Sequence, residues 1–247
     1  MIAWGLVPAR GGSKSIPLKN LLPLAGRPLI DYVACAGRAS GVLSRIVCST
    51  DSERIADRAR EIGIEVDVRP AELASDDAKV DDVARDLLLR AKASVVRLPE
   101  AIVLLQPTSP FLQPAQIADL VAFLQAKLAA SSVHNAYSVP HNLHSWNQRL
   151  LAADGSVTFP FEAERSRARN KQEKPKLYAF GNLIACRTEA LLAGDGFYAK
   201  PSHALAIPPI HAFDLDQSGD IPIAEALIAA NLVNIDHLSS QQAANKE

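Results

Sequence analysis

Over the first 139 or so residues, short apolar runs alternate with amphipathic stretches. Ile2–Val7 is apolar throughout and closes at Pro8, the pattern of a strand buried on both faces. Arg45–Ser49, Ile64–Val68, Ala101–Leu105 and Val133–Val139 repeat it. Between them lie helical patterns. Pro28–Ala39 has Pro at its first turn and Gly41 beyond its end, and a second helix starts from a cap at Asp51 or Ser52 and runs to Ile62, where Gly63 stops it. Asp77–Ala93 and Pro114–Ala130 follow, the latter with Ile117, Leu120, Val121 and Leu124 on one face. Strand–helix repetition of this kind predicts a doubly wound α/β fold: a mostly parallel sheet with right-handed crossovers and helices on both faces.

The texture changes after Pro140. His141–Arg149 is polar and aromatic, Asp154-Gly155-Ser156 reads as a hairpin turn, and Glu162–Lys176 is densely charged without an apolar stripe. Residues 140–176 therefore read as an excursion from a single domain spanning 1–247: a lid, or an arm docking on a second subunit. Apolar order returns at Leu177–Cys186 and Ala204–Leu215, Ile221–Leu232 is a final amphipathic helix, and residues 239–247 are expected to fray. The sequence shows no internal repeat.

Composition narrows the function classes. With 26 Lys+Arg against 27 Asp+Glu in 247 residues, the net charge of -1 argues against a uniformly basic nucleic-acid binder and an acidic disordered chain. Hydrophobic residues at 48% and charged residues at 21% suit an ordinary globular domain. Cys35, Cys48 and Cys186 lie far apart with no metal-ligand spacing, which predicts free thiols in a reducing cytoplasm. The N-terminal run lacks the pattern of a signal peptide, and no stretch approaches the length of a membrane span.

The chemistry concentrates after the first strand, in Pro8-Ala-Arg-Gly-Gly-Ser-Lys-Ser-Ile-Pro-Leu-Lys-Asn20. Gly11 and Gly12 let backbone amides approach a ligand, and Arg10, Lys14 and Lys19 set three cations at the carboxyl edge of a central strand, where open α/β sheets bind ligands. Such a loop suits a triphosphate; a flexible loop with merely solvated charges fits the same residues. The spacing is neither GxxxxGK[ST] nor GxGxxG. Near the C-terminus, Asp214 and Asp216 fall in a segment that reads as a strand, Ile210–Asp216. Residues two apart on a strand share a face about 7 Å apart, suitable for a hard cation. Asp216 or Ser218 as a helix cap is the competing reading.

The loop resembles the signature of the CMP-N-acylneuraminate synthetases, approximately PARGGSKGIPxKN. Four further segments match that family in order: Ser49-Thr50-Asp51, Arg69-Pro-Ala-Glu-Leu-Ala-Ser-Asp76, Leu105-Gln-Pro-Thr-Ser-Pro110 and Phe213-Asp-Leu-Asp216. The resemblance implies a Rossmann-like nucleotide-diphospho-sugar transferase fold and a CTP site. In it, Arg10, Ser13, Lys14 and Lys19 hold the triphosphate and Asn20 lies near the nucleotide's sugar and base. Arg69, with the Ala78 backbone, faces the cytosine, and Gln106 and Ser109 line the same cleft. It also implies Mg2+ on Asp214 and Asp216, with Arg10, Lys14, Lys19 and Asp216 catalytic in an in-line attack of an acidic sugar's hydroxyl on the α-phosphate. The products are a CMP-sugar and pyrophosphate. The family is typically a homodimer whose middle excursion reaches the partner's active site.

The sugar-binding stretch departs from the family's RQxxPxxYRxNGAxY. Gln172, Pro175 and Tyr178 match; Lys171 replaces Arg, Ala179 takes the second Arg position, Gly181-Asn182 is inverted, and Ser15 replaces a common Gly in the phosphate loop. Arg169, Lys171, Gln172 and Tyr178 are the sugar-binding candidates. The sugar's carboxylate has Arg165, Arg167, Arg169 and Lys171 as candidate cations, which equally suit a solvated arm or dimer contact. His141, His144 and Trp146 fit a sugar pocket or simple loop packing. The departures point to a nonulosonic relative of sialic acid, such as a legionaminic, pseudaminic or Kdn-type acid. A Kdo-type cytidylyltransferase and a non-catalytic nucleotide-binding regulatory homologue are the alternatives.

Overall fold

A computed structural model describes residues 1–12, 16–75, 77–168 and 170–238, the side chain of Lys171 excepted. Seven strands form the central sheet: β1 (Ala3–Pro8), β2 (Leu43–Thr50), β3 (Glu65–Val68), β4 (Ala101–Leu104), β5 (Ser132–Ser138), β6 (Tyr178–Arg187) and β7 (Ser202–Ala206). Their order across the sheet is β3-β2-β1-β4-β6-β5-β7. All pair in parallel except β6, which runs antiparallel to both β4 and β5. The expected doubly wound, mostly parallel sheet is present.

The continuous apolar runs have the predicted cause. Ala3 and Val7 of β1 join one buried cluster with residues of α1 (Leu29–Ala39), α2 (Glu53–Glu61) and α4 (Pro114–Ala126). Trp4 and Leu6 point the other way, into a second cluster with α3 (Val80–Ala93) and α6 (Thr188–Ala193). Alternate residues of one strand thus enter two cores, so none of them needs to be polar.

Several boundaries move for local reasons. The α3 helix starts at Val80 rather than Asp77, after a separate 3₁₀ turn at Ala71–Leu73. The α4 helix stops at Ala126, where Lys127 leaves helical geometry (φ -109°, ψ 81°). The last helix, α7 (Asp220–Ala229), is followed by Asn231 at φ 54°, a left-handed conformation that ends the helical path. Neither expected cap at α2 makes a side-chain cap bond: Ser52 holds the cap position without one, and Asp51 is engaged elsewhere.

Ile210–Asp216 is not a strand. The ladder's last bond on this side is Ile207 N–H to the Ala136 carbonyl, 2.9 Å. Pro208 and Pro209 then supply no N–H donors, so pairing cannot continue. A 3₁₀ turn over Pro209–Ala212 follows instead.

Between β5 and β6 the chain leaves the sheet. This arm contains a two-residue hairpin, Leu150–Leu151 with Val157–Thr158, and one short helix, α5 (Glu162–Arg167). Its mostly exposed surface contrasts with the strands on either side. His144 is its buried exception. It accepts from the Trp146 N–H at Nδ1, which leaves Nε2 to donate to the Pro175 carbonyl at 3.0 Å. That geometry is the packing role for His144. Among the described residues no helix is long and apolar enough to cross a membrane.

Candidate active site

The loop after β1 is held from two sides. Asp51, at the carboxyl end of β2, accepts the Gly11 N–H at 2.8 Å, and Asn20 donates to the Arg10 carbonyl at 3.0 Å. A Cβ at Gly11 would lie 2.9 Å from the Ser52 Cβ, so glycine allows the loop to press against the start of α2. The Lys19–Leu21 3₁₀ turn then brings Lys19 and Asn20 inward, both buried.

These elements border a cleft of about 290 Å3 at the carboxyl edge of the sheet. Arg10, Lys19, Asn20, Arg69, Ala78 and Gln106, six of the residues expected to touch the nucleotide, line it together with Pro107 and Thr108. Arg10 donates to the Ser75 carbonyl at 3.2 Å, tying the phosphate loop to the segment that carries Ala78. Ser109 is buried in the turn behind this wall, its N–H bonded to the Gln106 carbonyl at 3.0 Å, and is not among the lining residues.

Arg69 is fixed by the end of β2. It donates to the Ser49 carbonyl at 2.9 Å and, more weakly, to the Ser49 hydroxyl at 3.4 Å. That hydroxyl donates to Asp67 at 2.9 Å, and Asp67 receives a two-pronged contact from Arg90 of α3 at 2.6 and 3.0 Å. Burial pulls the Arg69 guanidinium below its ordinary value, with Asp51 the foremost opposing charge. An arginine remains protonated regardless, so the cleft keeps a cation there.

The two C-terminal aspartates do not line the cleft but reach residues that do, Lys19 and Thr108. Lys19 donates to Asp216 at 2.8 Å, its own side chain 9% exposed and that of Asp216 72%. Asp214 lies near enough to Thr108 and Asp216 for both to act on its carboxyl, and the Leu215 N–H donates to the Thr108 carbonyl at 2.8 Å. Burial, then the neighbouring Asp216 charge, raises the Asp214 carboxyl above the usual range, against Thr108 and Lys19. The Lys19 bond holds Asp216 below that range. Two neighbouring carboxyl groups need a shared proton or a cation between them. Neither Asp216 nor Ser218 caps α7: Gly219 holds that position without a side-chain bond, and Asp220 accepts the Asp216 and Gln217 N–H groups of the preceding turn at 2.8 and 2.7 Å. No group of three or more His, Cys, Asp or Glu suited to a metal is found among the described residues.

The remaining candidates stand apart. Gln172 and Tyr178 are exposed at the arm's return to the sheet and do not line the cleft. Ser13, Lys14 and Arg169, and the side chain of Lys171, lie outside the described residues. Thr108 and the bonding role of Asp51 were not anticipated. Both sit inside motifs that were noticed, but their partners are far away in sequence.

Residues 4–158 match the family model described as Cytidylyltransferase. The chain is 32% identical to the CMP-N,N'-diacetyllegionaminic acid synthase of Legionella pneumophila, over 92% of this chain and 96% of that protein. It is 35% identical to an N-acylneuraminate cytidylyltransferase of Escherichia coli over 89% of this chain, spanning half (50%) of that longer protein. In solved structures, a CMP:2-keto-3-deoxy-manno-octonic acid synthetase complexed with CTP superposes with a TM-score of 0.69 over 94% of this chain and 100% of that one, at 15% identity. That likeness speaks for the fold.

Proposed function

The chain belongs to the cytidylyltransferase family, among the synthetases of CMP-nonulosonic acids, and from that premise we propose that it transfers CMP from CTP to a hydroxyl of a nonulosonic acid, releasing pyrophosphate. The observation that carries the reading is one cleft lined by Arg10, Lys19, Asn20, Arg69 and Gln106, with Lys19 bonded to Asp216 of the aspartate pair.

The chemistry is mainly positioning and charge neutralisation. Arg10 and Lys19 supply positive charge to the triphosphate, with Ser13 and Lys14 of the same loop completing the set. Lys19 has a second task, since its bond keeps Asp216 ionised and in place. Arg69, Gln106 and the Ala78 backbone, which line the same cleft, read the base. Asp214 and Asp216 are neighbouring hard oxygen donors, which suits Mg2+, an ion that takes one or two carboxylates and completes its shell from substrate phosphates and water. Bound there, it would neutralise phosphate charge and lower the pKa of a hydroxyl.

The reading extends to a homodimer in which the arm meets a second copy, supported by the exposed apolar side chains Leu143, Leu150, Leu151, Val157 and Phe161 along it. Three buried cysteines outside any disulfide support a reducing cytoplasm. Arg165, Arg167, Arg169, Lys171, Gln172 and Tyr178 belong to the sugar side of this proposal.

Pyrophosphate release with CTP and magnesium against a panel of N,N'-diacetyllegionaminic, N-acetylneuraminic, pseudaminic and Kdo acids tests it. Turnover is expected with a nine-carbon acid. Clear CTP binding without release for any sugar would overturn the enzymatic reading, and turnover with Kdo alone would move the substrate class.

A further inference from the structure

Between the sheet and the carboxylate-bearing turn lies a buried set of side-chain amides with no role in the reading above. The β6 strand slips register against β5 between Phe180 and Ile184, and the slip turns Asn182 inward, where it is 0% exposed. Position 181 has no room for it: a Cβ there would lie 2.9 Å from Ile207 Cδ1 and 3.0 Å from the Asn135 carbonyl oxygen. The order Gly181-Asn182 is thus required by the packing of β5, β6 and the segment after β7.

Every bond Asn182 makes has a fixed direction. The Gln113 N–H and the Asn182 Nδ2 both donate to Gln116 Oε1, at 3.1 and 3.0 Å. A backbone N–H can only donate, so Gln116 Nε2 must face the other way, toward His211 Nδ1 at 3.2 Å. The same Asn182 Nδ2 donates to the His211 carbonyl at 2.8 Å, while Asn182 Oδ1 accepts from Asn135 Nδ2 at 2.9 Å. His211 is therefore gripped at both its ring and its backbone, two residues before the Phe213–Asp216 segment. That segment has further anchors in the Leu215 bond to Thr108 and the Phe111–Phe213 ring contact at 5.4 Å.

We infer that Asn182 is a positioning residue for the Asp214–Asp216 pair, acting through His211 and Gln116. The inference rests on the reading of that pair as catalytic. Asn182 touches neither carboxylate and lines no part of the nucleotide cleft. Its removal would leave the His211 carbonyl and the Asn135 amide without their buried partner, so the turn would relax rather than stay put.

The test is Asn182→Ala, with Asp214→Asn and Asp216→Asn alongside. Outer residues that orient metal-holding groups typically change affinity or activity by about 10- to 100-fold. Asn182→Ala should lower kcat and raise half-saturating magnesium within that range. In metal-free buffer, CTP affinity by calorimetry should stay within about twofold, while hydrogen exchange at 210–217 speeds up. In the double variant with Asp216→Asn, the losses should fall short of the product of the single effects, because both act on one element. His211→Phe keeps the carbonyl acceptor and a ring but removes the nitrogen that faces Gln116, so a smaller loss in the same direction is expected, and it carries the test if Asn182→Ala does not fold. Wild-type kcat and magnesium dependence for Asn182→Ala, or multiplicative losses in the double variant, would overturn the positioning role alone. Full turnover by Asp214→Asn and Asp216→Asn would instead remove the reading beneath it.

Discussion

The nucleotide cleft and the arm are both rich in cations, yet they handle them differently. In the cleft, Lys19 and Arg69 are buried, and each is bonded to a partner from a distant segment: Lys19 to Asp216, Arg69 to Ser49. In the arm, Arg165 and Lys174 are half-buried and both donate to one neutral oxygen, Asn147 Oδ1, at 3.1 and 2.7 Å. Arg149 and Arg165 lie over the Phe159 ring. The cleft holds its cations on fixed partners; the arm's Arg165 and Lys174 share a neutral acceptor rather than a carboxylate. Preorganised charge contributes where a transition state is stabilised, and adaptable charge where ligands vary.

Asp216→Ala gives the largest expected break in this contrast. Its side chain is 72% exposed, so folding should survive with a thermal transition lowered only by the loss of the Lys19 partner, while kcat falls about 10³-fold, the scale of losing one preorganised charged group. An active variant would deny the cleft its special status. Next comes the base. Replacing CTP by UTP should cost about 10²-fold in kcat/KM if Arg69, Ala78 and Gln106 are fixed readers, and equal rates would show that they are not.

A smaller effect belongs to the arm. The pair Arg165→Ala with Lys174→Ala should raise KM for the sugar about tenfold, near 1.4 kcal/mol, with KM for CTP unmoved. Parallel changes in both constants would merge the two regions into one. The smallest effect concerns the core beneath the cleft. Burial pushes the Cys48 and Cys186 thiols up to about 12, Cys35 to about 11, and the Tyr32 hydroxyl to about 12. These groups stay neutral in the folded protein to higher pH than in the unfolded chain. Their contribution to stability is therefore whole below about pH 9 and fades as pH rises toward 12. Calorimetry should show the Tm falling through that range, and thiol reagents at pH 8 should label the cysteines only on unfolding; prompt labelling of the native protein would contradict this burial.

What the sequence disclosed divides along the same line. The cleft's residues sit at strand ends, and β1, β2 and β4 announce themselves by apolar runs that both cores require. Local patterning has no information about long-range pairing, however. The antiparallel β6 looks like any apolar run, and the Lys19–Asp216 bond joins positions 197 apart. Asp51 reads as a helix cap because the four residues after it look helical, yet its partner Gly11 is 40 positions back. The turn at Pro209–Ala212 reads as part of a strand for a different reason: Ile210–Asp216 looks extended on its own, while the missing donors that stop the ladder belong to Pro208 and Pro209 just before it. The arm gave up least, since exposed charged residues leave no periodic trace of what they contact.

The Lys19–Asp216 bond also means that the site carries a tethered counter-ion. Under the proposed reading, a triphosphate entering the cleft would not meet a bare ammonium; it would compete with a carboxylate already held at 2.8 Å from the lysine. Ground-state capture of nucleotide would be blunted, and the same carboxylate could reclaim the lysine when pyrophosphate departs, so that entry and exit would be two halves of one ion exchange.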